Sequence, residues 1–345
     1  MKIKPFKKCP ALDGYHCQTN SLAKIFLHYD HPLSEDMLLG LGAGMGYIYW
    51  KMKMEGQDYV FIGGRANTKN FFQDIGKRTG VKITTISTSS EKKAQKTLLE
   101  QLALEHPVML YGDMGFLPWF DLPEDYHFGG HTFTVCGYDQ KNTVLASDMD
   151  QKAPGLKKGF YYPITLKQLG KARSSKFKPF PPKNTYLQFD FSEFHKPTQE
   201  DIISSIKQTV DAQLNPPIKN FGVKGLRHTS KELPKWLKMF DDKILRLNLF
   251  TIYIFIEIGG TGSGCFRYMY SRFLKEVSKI TDSKSLIDAS KMVYNAGKKF
   301  SEIGLLFKDP EKIDDVEENI KIASDKFSEL ADLEEEIYSF LETNI

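Results

Sequence analysis

Gly14-Tyr15-His16-Cys17-Gln18-Thr19-Asn20-Ser21-Leu22 sets a cysteine directly before a segment with helical periodicity, and the chain is best read outward from it. Leu22, Ile25, Phe26 and Tyr29 recur at i, i+3, i+4 and i+7, one buried stripe of a helix that runs to about residue 29. Cys17 then stands at or near the N-terminus of that helix, where unpaired backbone N–H groups and the positive end of the helix dipole favour thiolate over thiol. A lowered pKa is what makes a cysteine nucleophilic at neutral pH. The competing reading is a small buried residue at the start of a core helix. What favours chemistry is the later appearance of His131 and Asp148, since a cysteine nucleophile needs its base close in space, not in sequence.

His131-Thr-Phe-Thr-Val-Cys-Gly-Tyr138, Asp139-Gln-Lys-Asn142 and Thr143-Val-Leu-Ala-Ser-Asp148 read as strand, turn and strand. Pairing Tyr138 with Thr143 sets Phe133 opposite Asp148 and His131 opposite Asp150. Paired residues share a face, so His131, Asp148 and Asp150 project to one side, and either carboxylate is available to the imidazole. Just upstream, Met114 to Phe128 is a loop rich in Gly, Pro and aromatics; Trp119 and Phe120 at its middle are candidate substrate-binding walls of the site.

Around these stretches, Ser34 is a candidate N-cap with Glu35 and Asp36 in the first turn that follows. The alternating glycines from Gly40 to Gly46 lack the strand and the Lys-Ser/Thr of a phosphate loop, so close packing or a bend beneath the site is the expected use. Tyr59 to Ile62 reads as a strand. Arg65, at the start of a helix over about 68–79, is a candidate anchor for a substrate carboxylate or phosphate, weighed against a purely structural arginine. Val81 to Ile86, Pro107 to Tyr111 and Tyr186 to Phe191 read as strands, and Lys93 to Glu105 and Lys167 to Arg173 as helices. Lys171, Arg173, Lys176 and Lys178 form a basic patch. From Thr198 onward the pattern is helix after helix, with Phe266, Met269, Tyr270, Phe273, Leu274 and Val277 in one stripe. Glu257 and Arg267 are expected to be an ion pair or substrate contacts, with structure favoured. Asp309-Pro310 reads as the start of the last helix.

A chain of 345 residues exceeds the usual size of one hydrophobic core, and two domains are expected, 1–195 and 196–345. Hydrophobic content of 41%, charged content of 26% and a formal charge of +4 fit an ordinary globular protein and give no case for nucleic-acid binding. The four cysteines, Cys9, Cys17, Cys136 and Cys265, form no Cys-x-x-Cys pair, so no metal site and no disulfide framework is expected. No cofactor is called for. The N-terminus lacks the apolar core of a secretory signal and no apolar run spans a bilayer, which predicts a cytoplasmic protein with no membrane partner.

Gly14-x-His16-Cys17, Leu33-Ser-Glu with the Gly-Leu-Gly-x-Gly that follows it, Ile62-Gly-Gly-Arg65, and His131 with Gly137-Tyr-Asp139 and Asp148 resemble the N-terminal domain of the butirosin biosynthesis protein H acyltransferases. Glu257-x-Gly-Gly-Thr-Gly-x-Gly-x-Phe266-Arg267-x-x-Tyr270 resembles the helical domain that follows it in that family. The resemblance implies an α+β chain: a papain-like cysteine domain with a mostly antiparallel sheet, then an all-α helical domain. It also implies transfer of an aminoacyl group from a carrier-protein thioester to an amine of an aminoglycoside. Carried over by position, Cys17 is the acyl-bearing nucleophile, His131 its base and Asp148 the residue that orients His131. One departure concerns the oxyanion hole. Papain-like enzymes commonly place a Gln about half a dozen residues before the cysteine, and Ala11 stands there, so backbone N–H groups near Cys17 or the side chain of Gln18 must serve instead.

The favoured expectation is a cysteine acyltransferase in which an amine cuts the acyl-enzyme, with an acidic acyl carrier protein docking on the basic patch. The alternatives are a peptidase or amidohydrolase that uses water, and a binding module of the same fold without turnover.

Overall fold

The computed structural model describes residues 3–54, 57–150 and 154–345. The chain is α+β, with antiparallel sheets in its N-terminal part and a helical region after residue 197. Its elements begin with α1 (Cys17–His28), α2 (Glu35–Leu41), β1 (Met45–Met54), β2 (Gln57–Arg65) and α3 (Phe71–Thr79). Next come β3 (Lys82–Ile86), α4 (Glu91–Ala103), β4 (Val108–Gly112), β5 (His131–Tyr138), β6 (Thr143–Met149), β7 (Gly159–Thr165), α5 (Leu166–Ser174) and β8 (Tyr186–Asp190). The remainder is α6 (Gln199–Leu214), α7 (Gly222–Glu232), α8 (Trp236–Met239), α9 (Asp242–Tyr253), α10 (Arg267–Thr281), α11 (Lys284–Leu305) and α12 (Val316–Asn344).

These elements divide into two units, residues 1–38 with 75–196, and residues 39–74 with 197–345. In the first unit six strands form one antiparallel sheet in the order β3-β8-β4-β5-β6-β7. Period-2 alternation in β5 sends Phe133 and Val135 to one face, where they meet Leu98 and Leu102 of α4 and Leu169 and Ala172 of α5 in a closed apolar core. Full burial of a Phe or Leu side chain of this kind contributes about 1.5–3 kcal/mol. Thr134 points the other way and donates to the Ser21 carbonyl at 3.5 Å, so α1 lies on the opposite face. The β5–β6 register pairs Thr134 with Ser147 and Val135 with Ala146, as the sequence predicts for the end of the hairpin near His131. Nearer the turn the predicted pairing is corrected: Tyr138 meets Val144, not Thr143, and an irregularity between Val135 and Tyr138 absorbs the extra residue. β7 was not anticipated. It is an edge strand in which Pro163 pairs with Leu145, and a proline inside a run argues against a strand except at an edge, where its missing N–H costs nothing.

The second unit is a set of helices that takes in the β1–β2 hairpin, so the single cut predicted after residue 195 becomes a division with residues 39–74 on the far side. Hydrogen bonds show why: the Val60 N–H donates to Asn248 Oδ1 at 3.0 Å, and the Tyr49 N–H to the Asn220 carbonyl at 2.9 Å. Arg267 and Glu334, both wholly buried, form a two-pronged pair at 2.6 and 2.8 Å, and Arg267 also donates to the carbonyls of Gly46 and Cys265. The predicted partnership of Glu257 with Arg267 is therefore corrected; Glu257 instead accepts from the Gly264 N–H and the Ser301 hydroxyl. The glycines near residue 44 serve close packing within this unit, since a Cβ on Gly44 would lie 2.1 Å from Arg65 Nη1. The last helix starts later than the sequence suggests: Pro310 opens a separate short turn, and Asp315 caps α12 through the Glu318 N–H. Among the described residues no helix is long and apolar enough to cross a membrane.

Candidate active site

Cys17 is the first residue of α1 and is partly exposed. The helix is capped by the residue before it: His16 adopts an extended backbone, and its Nδ1 accepts from the Thr19 N–H at 3.4 Å. The turn leading into the helix is held by a carboxylate. Glu35, the first residue of α2, accepts from the Tyr15 N–H at 3.1 Å, the His16 N–H at 3.1 Å, the Thr19 hydroxyl at 2.7 Å and the Asn20 amide at 3.1 Å. Burial pushes the Glu35 carboxyl above its ordinary range while these four donors work to keep it ionised. Gly14 has to be glycine here, because a Cβ would stand 1.9 Å from Glu35 Oε1 and 2.2 Å from Asn20 Nδ2. Two short motifs some twenty residues apart are thus one physical device that sets where the nucleophile points.

His131, the first residue of β5, is buried, as is Asp148 on the neighbouring strand β6. Asp148 Oδ2 lies 2.8 Å from His131 Nε2 and accepts from Trp119 Nε1 at 2.9 Å, while Oδ1 accepts from the Met149 N–H at 2.8 Å. Of the two carboxylates in question, Asp148 is the one that meets the imidazole; the Asp150 N–H donates to the Lys158 carbonyl. The His131 ring and the Cys17 sulfur also act on each other electrostatically, each shifting the other's titration. With Nε2 taken by Asp148, Nδ1 is the nitrogen that serves the thiol.

The electrostatics follow from this arrangement. Burial pushes the Cys17 thiol up, but the His131 ring and the N–H and hydroxyl of Thr132 together pull it down further, so it ionises below the ordinary value of 9.0. Burial pushes the His131 imidazolium down, but the charge and hydrogen bond of Asp148, joined by Cys17, raise it from 6.5 to about 10. The two shifts act in one sense, favouring transfer of the proton from the sulfur to the imidazole. Behind the pair, Lys24 is buried in α1 and donates to the Ser147 carbonyl at 3.2 Å; burial lowers its ammonium below the usual lysine range and the charge of Asp148 opposes that.

The remaining residues singled out from the sequence fall into different places. Trp119 spends its N–H on Asp148 and stacks on Tyr162, with ring centroids 4.8 Å apart and planes 12° from parallel. Phe120 stands edge-on to the His131 ring at 5.2 Å. Gln18 donates from Nε2 to the Tyr111 hydroxyl at 3.2 Å. Arg65 belongs to the other unit, where its guanidinium donates to the Gly44 carbonyl at 2.7 Å and lies 4.2 Å from the centroid of the Phe71 ring. Arg173 is buried and donates to the Ala94 carbonyl, which removes it from the predicted basic surface patch. Sequence reasoning missed His16 as the helix cap, Glu35 as the clamp, Lys24 and Thr132. Only the capping role had a visible signal, an imidazole three residues before a threonine N–H at a helix start. Among the described residues no group of three or more His, Cys, Asp and Glu side chains is placed to hold a metal ion.

Comparison with protein families places the chain. Residues 16–149 match the family described as Butirosin biosynthesis protein H, N-terminal, and residues 167–341, half of the chain, match the Domain of unknown function (DUF4872). The chain belongs to the DUF4872 family, and its N-terminal part is similar to the N-terminal family of butirosin biosynthesis protein H. No curated protein matches it.

Proposed function

We propose that the protein is a cysteine acyltransferase with a papain-like catalytic domain, which carries an acyl or aminoacyl group from a thioester to an amine. The observation that carries this reading is the buried His131–Asp148 hydrogen bond, 2.8 Å long, coupled electrostatically to Cys17 at the start of α1, with the thiol held below and the imidazole above their ordinary pKa values. A nucleophile helix laid against a strand that begins with the base supports the papain-like assignment, and the butirosin biosynthesis family name supports a biosynthetic transfer.

In this mechanism the Cys17 thiolate attacks the thioester carbonyl, and the tetrahedral intermediate's oxyanion is met by backbone N–H groups at the start of α1. Collapse breaks the carbonyl–sulfur bond of the donor, and the His131 imidazolium returns a proton to the departing thiolate. Exchange between two sulfurs is nearly isoenergetic, so the acyl-enzyme is accessible from a thioester. An amine then attacks Cys17's acyl carbon, neutral His131 takes its proton, and the thiolate leaves as the amide forms. Asp148, held by three donors, keeps the ring in the orientation that presents Nδ1 to sulfur and stabilises its charge.

The test is covalent. Incubation with an acyl thioester, such as an acyl pantetheine, and no amine is expected to leave one acyl mass increment on the peptide containing Cys17. His131→Ala is expected to slow labelling by about two to four powers of ten, the usual share of a positioned general base. Added amine should discharge the labelled enzyme as amide; discharge by water alone at the same rate would make the enzyme a hydrolase. Labelling at Cys136 or Cys265, or labelling that persists unchanged in His131→Ala, would overturn the site.

A further inference from the structure

Between β4 and β5 the chain makes a compact loop, residues 114–128, whose two ends meet at one side chain. Asp113, the residue after β4, is wholly buried, and both of its oxygens are used. Oδ1 accepts from the Gly115 N–H at 3.1 Å and from the Phe128 N–H at 3.1 Å, one at each end of the loop. Oδ2 accepts from the hydroxyl of Ser175, just past α5, at 2.5 Å and lies 3.0 Å from His127 Nδ1. The Met114 N–H closes the neck on the Phe128 carbonyl at 3.0 Å. Beside this knot the His127 ring lies flat on Phe177, with centroids 3.5 Å apart and planes 5° from parallel.

A carboxylate suits this place because it offers acceptors only, whereas an asparagine would turn its amide donor toward Ser175 and His127. The order it imposes runs on along the loop. The Phe116 N–H donates to the Asp113 carbonyl at 3.0 Å, Leu117 to Met114 at 3.1 Å and Phe120 to Leu117 at 3.1 Å, a series of tight turns pinned by the Leu117 side chain in the apolar core of the sheet. The series ends in the two aromatics of the site: Trp119, whose N–H meets Asp148 Oδ2 at 2.9 Å, and Phe120, edge-on to His131.

We propose that Asp113 is a positioning residue of the catalytic pair: by shutting the neck of the 114–128 loop it fixes Trp119 on Asp148 and Phe120 against His131. This rests on the reading of Cys17 as nucleophile and His131 as its base. Asp113 spends its oxygens on Gly115, His127, Phe128 and Ser175, so its hold on the imidazole passes through the loop. With the neck open, the indole leaves Asp148, and the carboxylate is free to turn away from His131 Nε2.

The experiment reads Cys17 alkylation by iodoacetamide against pH, with mass spectrometry to assign the site. Alongside it, a glutamyl endopeptidase is used to measure how fast the native protein is cut after Glu124, an exposed residue at the tip of the loop. Asp113→Ala is expected to move the acid limb of alkylation up by about half to one pH unit, which is about a three- to tenfold loss on that limb, and to speed the cut. Trp119→Phe should move the limb in the same sense with little change in the cut. The double variant should be no worse than Asp113→Ala, because both act on one contact. His127→Phe keeps a ring on Phe177 but removes one donor, so the cut should quicken about two- to tenfold and the limb move in the same sense; it carries the test if Asp113→Ala does not fold. Asp113→Asn removes the charge yet keeps an oxygen for Gly115 and Phe128, and should stay near the wild-type limb. If Asp113→Asn shifts the limb as far as Asp113→Ala, the effect is charge acting at a distance; if Asp113→Ala speeds the cut and leaves the limb in place, the neck is only structural. Either result overturns the proposal, as does a double variant whose losses multiply. If wild type and His131→Ala alkylate alike, it is the nucleophile assignment that fails, a separate outcome on the same plot.

Discussion

At the scale of single residues the site depends on opposite shifts in two side chains, and these fix how its stability varies with pH. His131 is raised from 6.5 to about 10, so its contribution is fully present below 6.5 and is lost as pH rises through about 10. Cys17 is lowered from 9.0, so its contribution is present above 9.0 and is lost as pH falls through its folded value. Where the two windows overlap, up to 9.0, the folded pair and the unfolded pair each hold one proton, on His131 in the first and on cysteine in the second. The stability from the pair is therefore expected to be flat across the overlap, where the two slopes oppose, and to fall with pH from 9.0 to about 10, where His131 acts alone. Urea unfolding of the wild type and of Cys17→Ala/His131→Gln at matched pH isolates this, and a difference that climbs steadily from pH 6.5 to 9.0 would contradict the ion pair. Trp119 belongs to the same scale. Its indole N–H is one of three donors to Asp148, and Trp119→Phe is expected to lower Cys17 alkylation at neutral pH by a few fold with little change in Tm.

At the scale of elements, α1 is aimed by α2. Glu35→Ala would leave the Tyr15 and His16 N–H groups without their acceptor, a loss of about 2–4 kcal/mol together that denaturant titration will read. Gly14→Ala should abolish labelling of Cys17 even if the chain folds, because the added methyl collides with the clamp. The helix of Cys17, the strand of His131 and the pairing of Thr134 with Ser147 were all legible, because each follows from a period in the sequence, 3.6 or 2, with turn residues between. Glu35 was legible only as an acid at a helix start. Its four hydrogen bonds join groups in a loop and two helices, and no period or local motif reports a contact between elements. The same limit applies to Trp119, which reads as an aromatic in a loop until β6 brings Asp148 to its N–H. β1 escaped because its first residues lie among glycines, and β7 because a proline interrupts it.

At the scale of the whole molecule the helical unit has its own polar centre in Arg267 and Glu334. Removing one partner of a buried pair strands the other charge, so Glu334→Gln is expected to destabilise the chain by about 3–5 kcal/mol, read as a lower urea midpoint. Alkylation of Cys17 in the variant at low denaturant would show whether the first unit stands without it. The boundary between the units was read from the change to unbroken helical periodicity near residue 198. That signal locates the last passage of the chain from one unit to the other, but it is silent about the earlier excursion of residues 39–74, whose hairpin is local in sequence while its partners are not.

That excursion limits how such a protein can be rearranged. A chain that visits one body, leaves and returns cannot be divided by one break, so a fragment of residues 197–345 lacks the strands that take up Asn248 Oδ1 and the Asn220 carbonyl. For the same reason a crossover between two such genes near codon 196 would join helices from one parent to a hairpin from the other. Exchange of the helical part between relatives is then workable only as a double replacement, with residues 39–74 travelling together with the C-terminal segment, and the two stretches should carry the joint signature of descent from a single parent.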